Sequence, residues 1–300
     1  MTTRTQAYSV DIADVEYLNH SGSPLLARLF KPQGTGPFPI VIELHGGAWV
    51  RGDRLNGDAA NEALAKTGVI VAALDFRTQD PYPNSLADIH YAIRWCKTQA
   101  AAWNGIPGRI GTMGTSSGAH QAMLLGMRPT DSRYAALPAP SGDSAVDATV
   151  DCVIMVSPGS DPLGRYRYAK GLRDGLTPPP GMSEKTPPMH EQYWGTEEAM
   201  AEGAPARILA GGEKTALPPT LTLRRSYEDN HPRPDFDEFI DQYRKAGGSI
   251  DVTIVEEEGE GLLSDLSSDV GTQTLEQIRA FMDQPVGWLE QLKGLNKGMK

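Results

Sequence analysis

The sequence predicts an α/β fold, a mostly parallel central sheet flanked by helices, on two observations. Short apolar runs alternate with segments of helical period along most of the chain, the pattern of repeated βαβ units. The chain has 300 residues, 39% hydrophobic and 22% charged, enough to bury a self-sufficient core without disulfide or metal staples and too ordinary for a disordered chain or a coiled coil.

The apolar runs, in order, place strands at Leu25 to Phe30, Ile40 to Leu44, Val69 to Leu74, Arg109 to Met113, Val150 to Val156, Thr220 to Leu223 and Ile250 to Val255. A helix is expected over Ser85 to Trp103, where Leu86, Ile89, Ile93, Cys96, Ala100 and Trp103 recur at helical spacing behind a Ser85-x-x-Asp88 capping box. Ala119 to Met127 is helix-compatible, Asp235 to Ala246 repeats the pattern through Phe236, Phe239, Ile240 and Tyr243 before Gly247-Gly248, and Thr272 to Met282 reads as a closing helix. From about 159 to 217 the periodicity collapses into Pro, Gly and charge, punctuated by Pro178-Pro179-Pro180 and Pro187-Pro188 and carrying Tyr166, Tyr168, Tyr193 and Trp194. So long an irregular stretch inside a domain points to a lid-like insertion over one end of the sheet. Residues 1–283 then form one domain, followed by a tail over 284–300, of which Trp288 to Lys300 fits a short amphipathic helix or a contact in a homodimer.

Charge and hydropathy narrow the function classes. Twenty-eight Lys and Arg face 38 Asp and Glu, a formal charge of −10 without a concentrated basic patch, which argues against nucleic acid. The longest apolar run, Val69 to Leu74, is far short of the roughly 20 residues that cross a bilayer, so no membrane role is expected. The two cysteines, Cys96 and Cys152, sit in an apolar helix face and an apolar strand and read as core residues; with no apolar leader in the first residues this fits a cytoplasmic protein. No spacing of His, Cys and carboxylates predicts a metal site, and no cofactor is expected.

Two motifs carry chemistry. Gly114-Thr115-Ser116-Ser117-Gly118 matches the G-x-S-x-G elbow, in which a sharp strand-to-helix turn lifts a serine hydroxyl above a sheet, and it lies between a predicted strand and a predicted helix as that turn requires. His45-Gly46-Gly47-Ala48-Trp49 directly follows the strand Ile40 to Leu44. Acyl transfer builds negative charge on a carbonyl oxygen, and glycines let backbone N–H groups approach it, so Gly46 and Gly47 with the N–H of Ser117 are the oxyanion-hole candidates and Ser116 the nucleophile. His45 itself reads as a structural hydrogen-bonder.

With these motifs on view the chain resembles the α/β-hydrolase superfamily, in the HGG-type carboxylesterase branch that includes feruloyl-esterase-like and kynurenine-formamidase-like proteins. The likeness runs through Gly52-Asp53, Leu74-Asp75-Phe76-Arg77, Ala92-Ile93-Arg94-Trp95, Gly114 to His120 and Leu217-Pro218-Pro219-Thr220-Leu221. It implies an α/β-hydrolase fold, a small or medium ester or acyl substrate, and a catalytic order of serine, an acid after the next-to-last strand, then a histidine after the last. The acid position falls on Tyr227-Glu228-Asp229-Asn230, with Asp229 as the expected orienting acid and Glu228 the runner-up, although Arg224-Arg225 stands where such proteins usually have His-Gly or Gln-Gly.

The histidine departs from the pattern. Where the resemblance calls for Gly-Glu-Gly-His, this chain has Gly259-Glu260-Gly261-Leu262, and leucine can neither take a serine proton nor return it. Two readings follow: a serine esterase with its base elsewhere, or a catalytically impaired or non-hydrolytic homologue that binds rather than cleaves. Of the other histidines, His120 and His90 read as satisfied packing residues, His20 as solvent-facing and His190 as a lid residue. His231 could serve as base only if its loop folds over Ser116.

Overall fold

Why the central strands read as unbroken apolar runs is clear from the computed structural model, which describes residues 7–140, 145–259 and 261–284. Both faces of the sheet are covered. Strands β3 (Phe38–Leu44) and β4 (Ile70–Leu74) are buried at every position. Successive side chains of a strand point to opposite faces. Ile40, Ile42 and Leu44 thus join one core with helices α2 (Asn84–Gln99), α3 (Ser117–Met127) and α8 (Arg233–Lys245), while Val41, Val71 and Ala73 join another with α1 (Asp58–Lys66) and α9 (Asp269–Asp283).

The remaining strands are β1 (Ser9–His20), β2 (Ser23–Gln33), β5 (Gly105–Thr115), β6 (Val153–Val156), β7 (Thr220–Arg225) and β8 (Ile250–Val255). Their order across the sheet is β1-β2-β4-β3-β5-β6-β7-β8. The β1–β2 and β2–β4 pairs are antiparallel and all others parallel, so the loops that leave β3, β5, β6, β7 and β8 open on the same edge.

Four sequence expectations need correction. Strand β1 was not expected: it is an edge strand with a largely exposed outer surface, so its polar and apolar residues mix instead of forming a run. Strand β6 begins at Val153 rather than Val150, because Asp151 is occupied in accepting the Ile110 backbone N–H at 2.8 Å. The Ser85-x-x-Asp88 capping box does not form. Helix α2 starts one residue earlier, behind Pro83, and Ser85 lies inside it, where its hydroxyl shares a 2.7 Å hydrogen bond with the Tyr193 phenol and accepts another from Gln121. Asp88 instead accepts from the Arg77 guanidinium at 2.9 Å and from His20 Nε2 at 2.8 Å, which also turns His20 inward from solvent.

The segment 159–217 is more regular than its sequence implies. It folds as helices α4 (Pro162–Ala169), α5 (Met182–Trp194), α6 (Glu197–Glu202) and α7 (Pro205–Ala210). Pro187 and Pro188 sit inside α5, which masked it as a helix. Trp49, from the loop after β3, is the hub that binds this segment to the sheet, with ring centroids 5.0 Å from His190, 5.9 Å from Tyr193, 5.5 Å from Trp194 and 5.4 Å from His120. Of the predicted tail, residues 285–300 lie outside the described residues.

Candidate active site

The G-x-S-x-G segment forms the sharp turn its composition predicts. Ser116 joins β5 to α3 with φ 56° and ψ −116°, a left-handed conformation that a residue with a side chain adopts only under constraint. The two glycines are what permit it. A Cβ on Gly114 would come within 2.3 Å of the Gly118 backbone, and one on Gly118 within 2.0 Å of the Leu44 carbonyl. Strand, elbow, helix and the end of β3 therefore pack backbone against backbone, and the Ser116 hydroxyl stands clear.

The His45–Trp49 loop lies directly beside this turn. A Cβ on Gly46 would meet the Thr115 carbonyl at 3.1 Å and the Ser116 Cβ at 3.4 Å, and Gly47, at φ 129°, has no room for a Cβ because the Arg51 carbonyl would be 1.9 Å away. Ala48 and Trp49 also take positive φ, so the loop is a tightly coiled run of amides. Gly47, Ala48 and Ser116 line one cavity of about 440 Å³. His45 is structural, as expected: its Nδ1–H donates to the Gly46 carbonyl at 2.7 Å and its ring stacks on Phe76 at 4.2 Å.

The histidine beside the serine is His231. Its Nε2 lies 3.1 Å from Ser116 Oγ, hydrogen-bond distance for a general base. The loop after β7 does fold over the elbow, the condition set for this residue. Leu262 is buried at 1% exposure in the core shared with Ile154, Val156 and Leu223. It packs the sheet and does no acid–base work.

Among the described residues the carboxylate within ion-pair distance of the imidazole is Glu228, not Asp229. Glu228 Oε2 is 3.6 Å from His231 Nδ1, an ion-pair separation slightly too long for a hydrogen bond. Asp229 is exposed at the cavity rim and pairs with the Tyr227 phenol. The reason lies in the turn: Glu228 Oε1 accepts the Arg225 backbone N–H at 3.0 Å, which folds its side chain inward and sends its neighbour outward. Arg224, part of the pair noted as a departure, braces the same loop. Its guanidinium donates to the His231 carbonyl at 3.1 Å, lies 3.8 Å from Glu228 and rests over the Phe236 ring. Arg165 of α4 donates from Nε to the Asn230 carbonyl at 2.8 Å. Two buried arginines thus hold the histidine-bearing turn by its backbone.

Their charges reach the ring as well. Burial, then the Arg165 and Arg224 cations, hold the His231 imidazolium form well below the ordinary histidine range, so the ring is neutral and able to accept a proton. Arg165 is itself pushed down to about 10, by burial first and then by Arg51.

The remaining histidines are packed. His120 donates to the Gly203 carbonyl at 2.7 Å and accepts from the Trp49 indole at 3.2 Å, and His90 donates to the Pro129 carbonyl at 2.9 Å. His190, placed by its sequence in the lid, is fully buried against Trp49 and bonds to the Thr186 carbonyl, away from the cavity. Among the described residues no group of three His, Cys, Asp or Glu is placed to hold a metal ion, and no helix is long and apolar enough to cross a membrane. Sequence reasoning missed the pairing of Glu228 with His231 and the roles of Arg165 and Arg224. The only signal was the spacing Glu228-x-x-His231 just beyond a strand.

Comparisons with known proteins agree with this architecture. The BD-FAE family model matches residues 28–161, which include the His45–Trp49 loop and the serine elbow but stop before Glu228 and His231. Esterase LipC of Mycobacterium tuberculosis is 32% identical over 123 residues, 40% of this chain and 30% of its own. Isoprenylcysteine alpha-carbonyl methylesterase ICME of Arabidopsis thaliana is 36% identical over 86 residues, 28% of this chain and 20% of its own. The chain thus spans less than a third of the length of these curated relatives. Among solved structures, Thermogutta terrifontis esterase 2 phosphonylated by sarin superposes with TM-score 0.69 at 21% identity, covering 93% of this chain and 95% of that one. Carboxyl esterase 2 of Tuber melanosporum gives TM-score 0.69 at 17% identity, covering 95% and 89%. At these identities the structural likeness speaks for the fold.

Proposed function

Because this chain belongs to the α/β-hydrolase superfamily, on the side whose members it matches are carboxylic ester hydrolases, we propose that it is a serine carboxylesterase acting on a small or medium ester through Ser116. The observation that carries the reading is the 3.1 Å approach of His231 Nε2 to Ser116 Oγ beside the coiled glycine loop. Ser116 Oγ attacks the ester carbonyl carbon while its proton passes to His231 Nε2. The carbonyl oxygen becomes an oxyanion, received by the amide hydrogens of Gly46, Gly47 and Ser117. Collapse of the tetrahedral species breaks the bond to the alcohol, which leaves with the proton from His231. A water then repeats the sequence on the acyl-serine: His231 takes its proton, its oxygen attacks the acyl carbon, and the free acid departs as Ser116 is reprotonated. Glu228 faces the other ring nitrogen, where its charge stabilises the imidazolium formed at each step.

The proposed cycle uses no cofactor, and the cysteine usage fits a cytoplasmic setting. The competing reading is an impaired or non-hydrolytic homologue, suggested by Leu262; the 3.1 Å approach of His231 to Ser116 favours the esterase reading over it. A fluorophosphonate probe tests the proposal. Ser116 should be labelled in the wild-type protein and hardly at all in His231→Ala, and p-nitrophenyl butyrate should be hydrolysed by the first only. Absence of labelling at saturating probe would reject an activated serine.

A further inference from the structure

The cavity over Ser116 is unusual in its charge. Three cations from separate segments converge on it: Arg51 just past the glycine loop, Arg165 on α4 and Lys185 on α5. None of the three has a carboxylate within ion-pair distance among the described residues, although the chain carries 38 acidic residues against 28 basic ones. Neighbouring arginines of the same segment are all paired: Arg167 with Glu197 at 2.6 Å, Arg173 with Asp235 at 2.6 Å and Arg207 with Asp161 at 2.8 Å. Among the described residues Asp229 is the one carboxylate in the cavity wall, and it sits exposed at the rim against Tyr227.

Arg165 is the decisive member. It is 7% exposed, yet its side-chain hydrogen bonding among the described residues is confined to Nε and the Asn230 carbonyl, which leaves both terminal nitrogens without a partner among those residues. Holding a loop carbonyl needs one donor and no charge. Burying a guanidinium without a counterion is costly, and a planar fork of unused donors facing a cavity matches a carboxylate in geometry and in sign.

We infer that the ester cleaved at Ser116 carries an ionised carboxylate, as a monoester of a small dicarboxylic acid does, and that Arg165, assisted by Arg51 and Lys185, binds it. The inference deepens the serine esterase reading and rests on it for the fate of the ligand, but not for its binding. A cavity of about 440 Å³ suits such a molecule. The bound anion supplies the counter-charge that the fold withholds from Arg165, and the positive field draws it in from solvent past a protein of formal charge −10.

Binding and turnover separate the two claims. Ser116→Ala is titrated calorimetrically with monomethyl glutarate and with dimethyl glutarate. The monoester should bind about ten- to a hundredfold more tightly, the range of one charge-assisted hydrogen-bonded contact, and Arg165→Gln in the same background should bring the preference below about threefold. Arg51→Gln and Lys185→Gln, both at exposed positions where folding is not at stake, should each reduce it severalfold. Equal affinity for the two esters, no monoester binding at millimolar concentration, or a preference that survives all three substitutions would overturn the inference. In the wild type the monoester should be the better substrate by a similar factor, and faster cleavage of the diester would overturn it too. Selective binding of the monoester with neither cleavage nor fluorophosphonate labelling of Ser116 would uphold the carboxylate receptor and sink the serine esterase reading instead.

Discussion

Replacing Glu228 and Asp229 in turn separates the carboxylate that works with His231 from the one that merely lies next to it in sequence. The perturbation is a pair of isosteric changes, Glu228→Gln and Asp229→Asn, each removing one negative charge and little volume. The structure sets the magnitude. Glu228 Oε2 is 3.6 Å from His231 Nδ1, so at an effective dielectric near 20 the attraction between carboxylate and imidazolium is about 4–5 kcal/mol, falling to about 1 kcal/mol if water screens it fully. The imidazolium exists only as the transition state is approached, so this energy appears in the rate: kcat should fall by about tenfold at the screened limit and about a thousandfold at the other. The side chains of both partners are near 10% exposed, which favours the larger loss. Asp229 is exposed and turned toward Tyr227, and its change should move kcat by less than about threefold. Steady-state turnover of p-nitrophenyl butyrate, beside circular dichroism to show that both variants are folded, is the assay. A larger loss in Asp229→Asn than in Glu228→Gln would refute the assignment and return the role to the residue the sequence favoured.

Three further outcomes follow from the same geometry. His231→Ala should lower kcat/KM by about three orders of magnitude or more, whereas Leu262→His should restore nothing in that background and should lower the melting temperature by placing an imidazole in an apolar core; rescue at position 262 would show that the base belongs there after all. The acid limb of kcat/KM should have its midpoint below 6.5, because the base must be neutral and burial with two neighbouring cations keeps His231 neutral to lower pH than an ordinary histidine; a midpoint at or above 6.5, read from a pH–rate profile, contradicts that environment. Glu43 is buried against Asn61 and burial raises its carboxyl from 4.5 to about 7, so the folded state loses stability as pH rises through that window; Glu43→Gln should gain about 3 kcal/mol relative to wild type between pH 4.5 and 8 in urea titrations, and a pH-independent difference would exclude it.

How much of this was legible in the sequence depended on whether a feature was local. The strands buried on both faces announced themselves as apolar runs, whereas β1, exposed on one side, did not. The serine elbow was legible because its glycines are required by clashes within a few residues and with one neighbouring strand. The histidine was sought after the last strand, where the resemblance puts it, and the side chain that reaches Ser116 comes from one strand earlier. The choice between Glu228 and Asp229 turned on a single backbone hydrogen bond, Arg225 N–H to Glu228 Oε1, that no composition or spacing rule reveals. The helices of the 159–217 segment were hidden by their prolines and short lengths and are held by a tryptophan more than a hundred residues away in sequence. Arg165 carried no local signal, since what distinguishes it is the absence of a carboxylate partner among the described residues.

The displaced histidine has a simple geometric basis. Strands β5, β6 and β7 are consecutive parallel neighbours, so the loops that follow β5 and β7 leave the same sheet edge with one strand between them, roughly 10 Å at the usual interstrand spacing. A loop after β8 starts one strand farther from the elbow. A base carried after β7 therefore needs less reach than one carried after β8, but it and its acid must then come from the same short turn, which a single carboxylate and backbone cannot hold rigid alone. Arg224 from within the sheet and Arg165 from the segment above it supply that rigidity by gripping the turn's carbonyls. Their cost is positive charge beside a residue that must become an imidazolium. Glu228 offsets that charge on one side of the ring, and an anionic substrate lying on Arg165 would offset it on the other, so the base would gain strength when the ester that fits the cavity is in place.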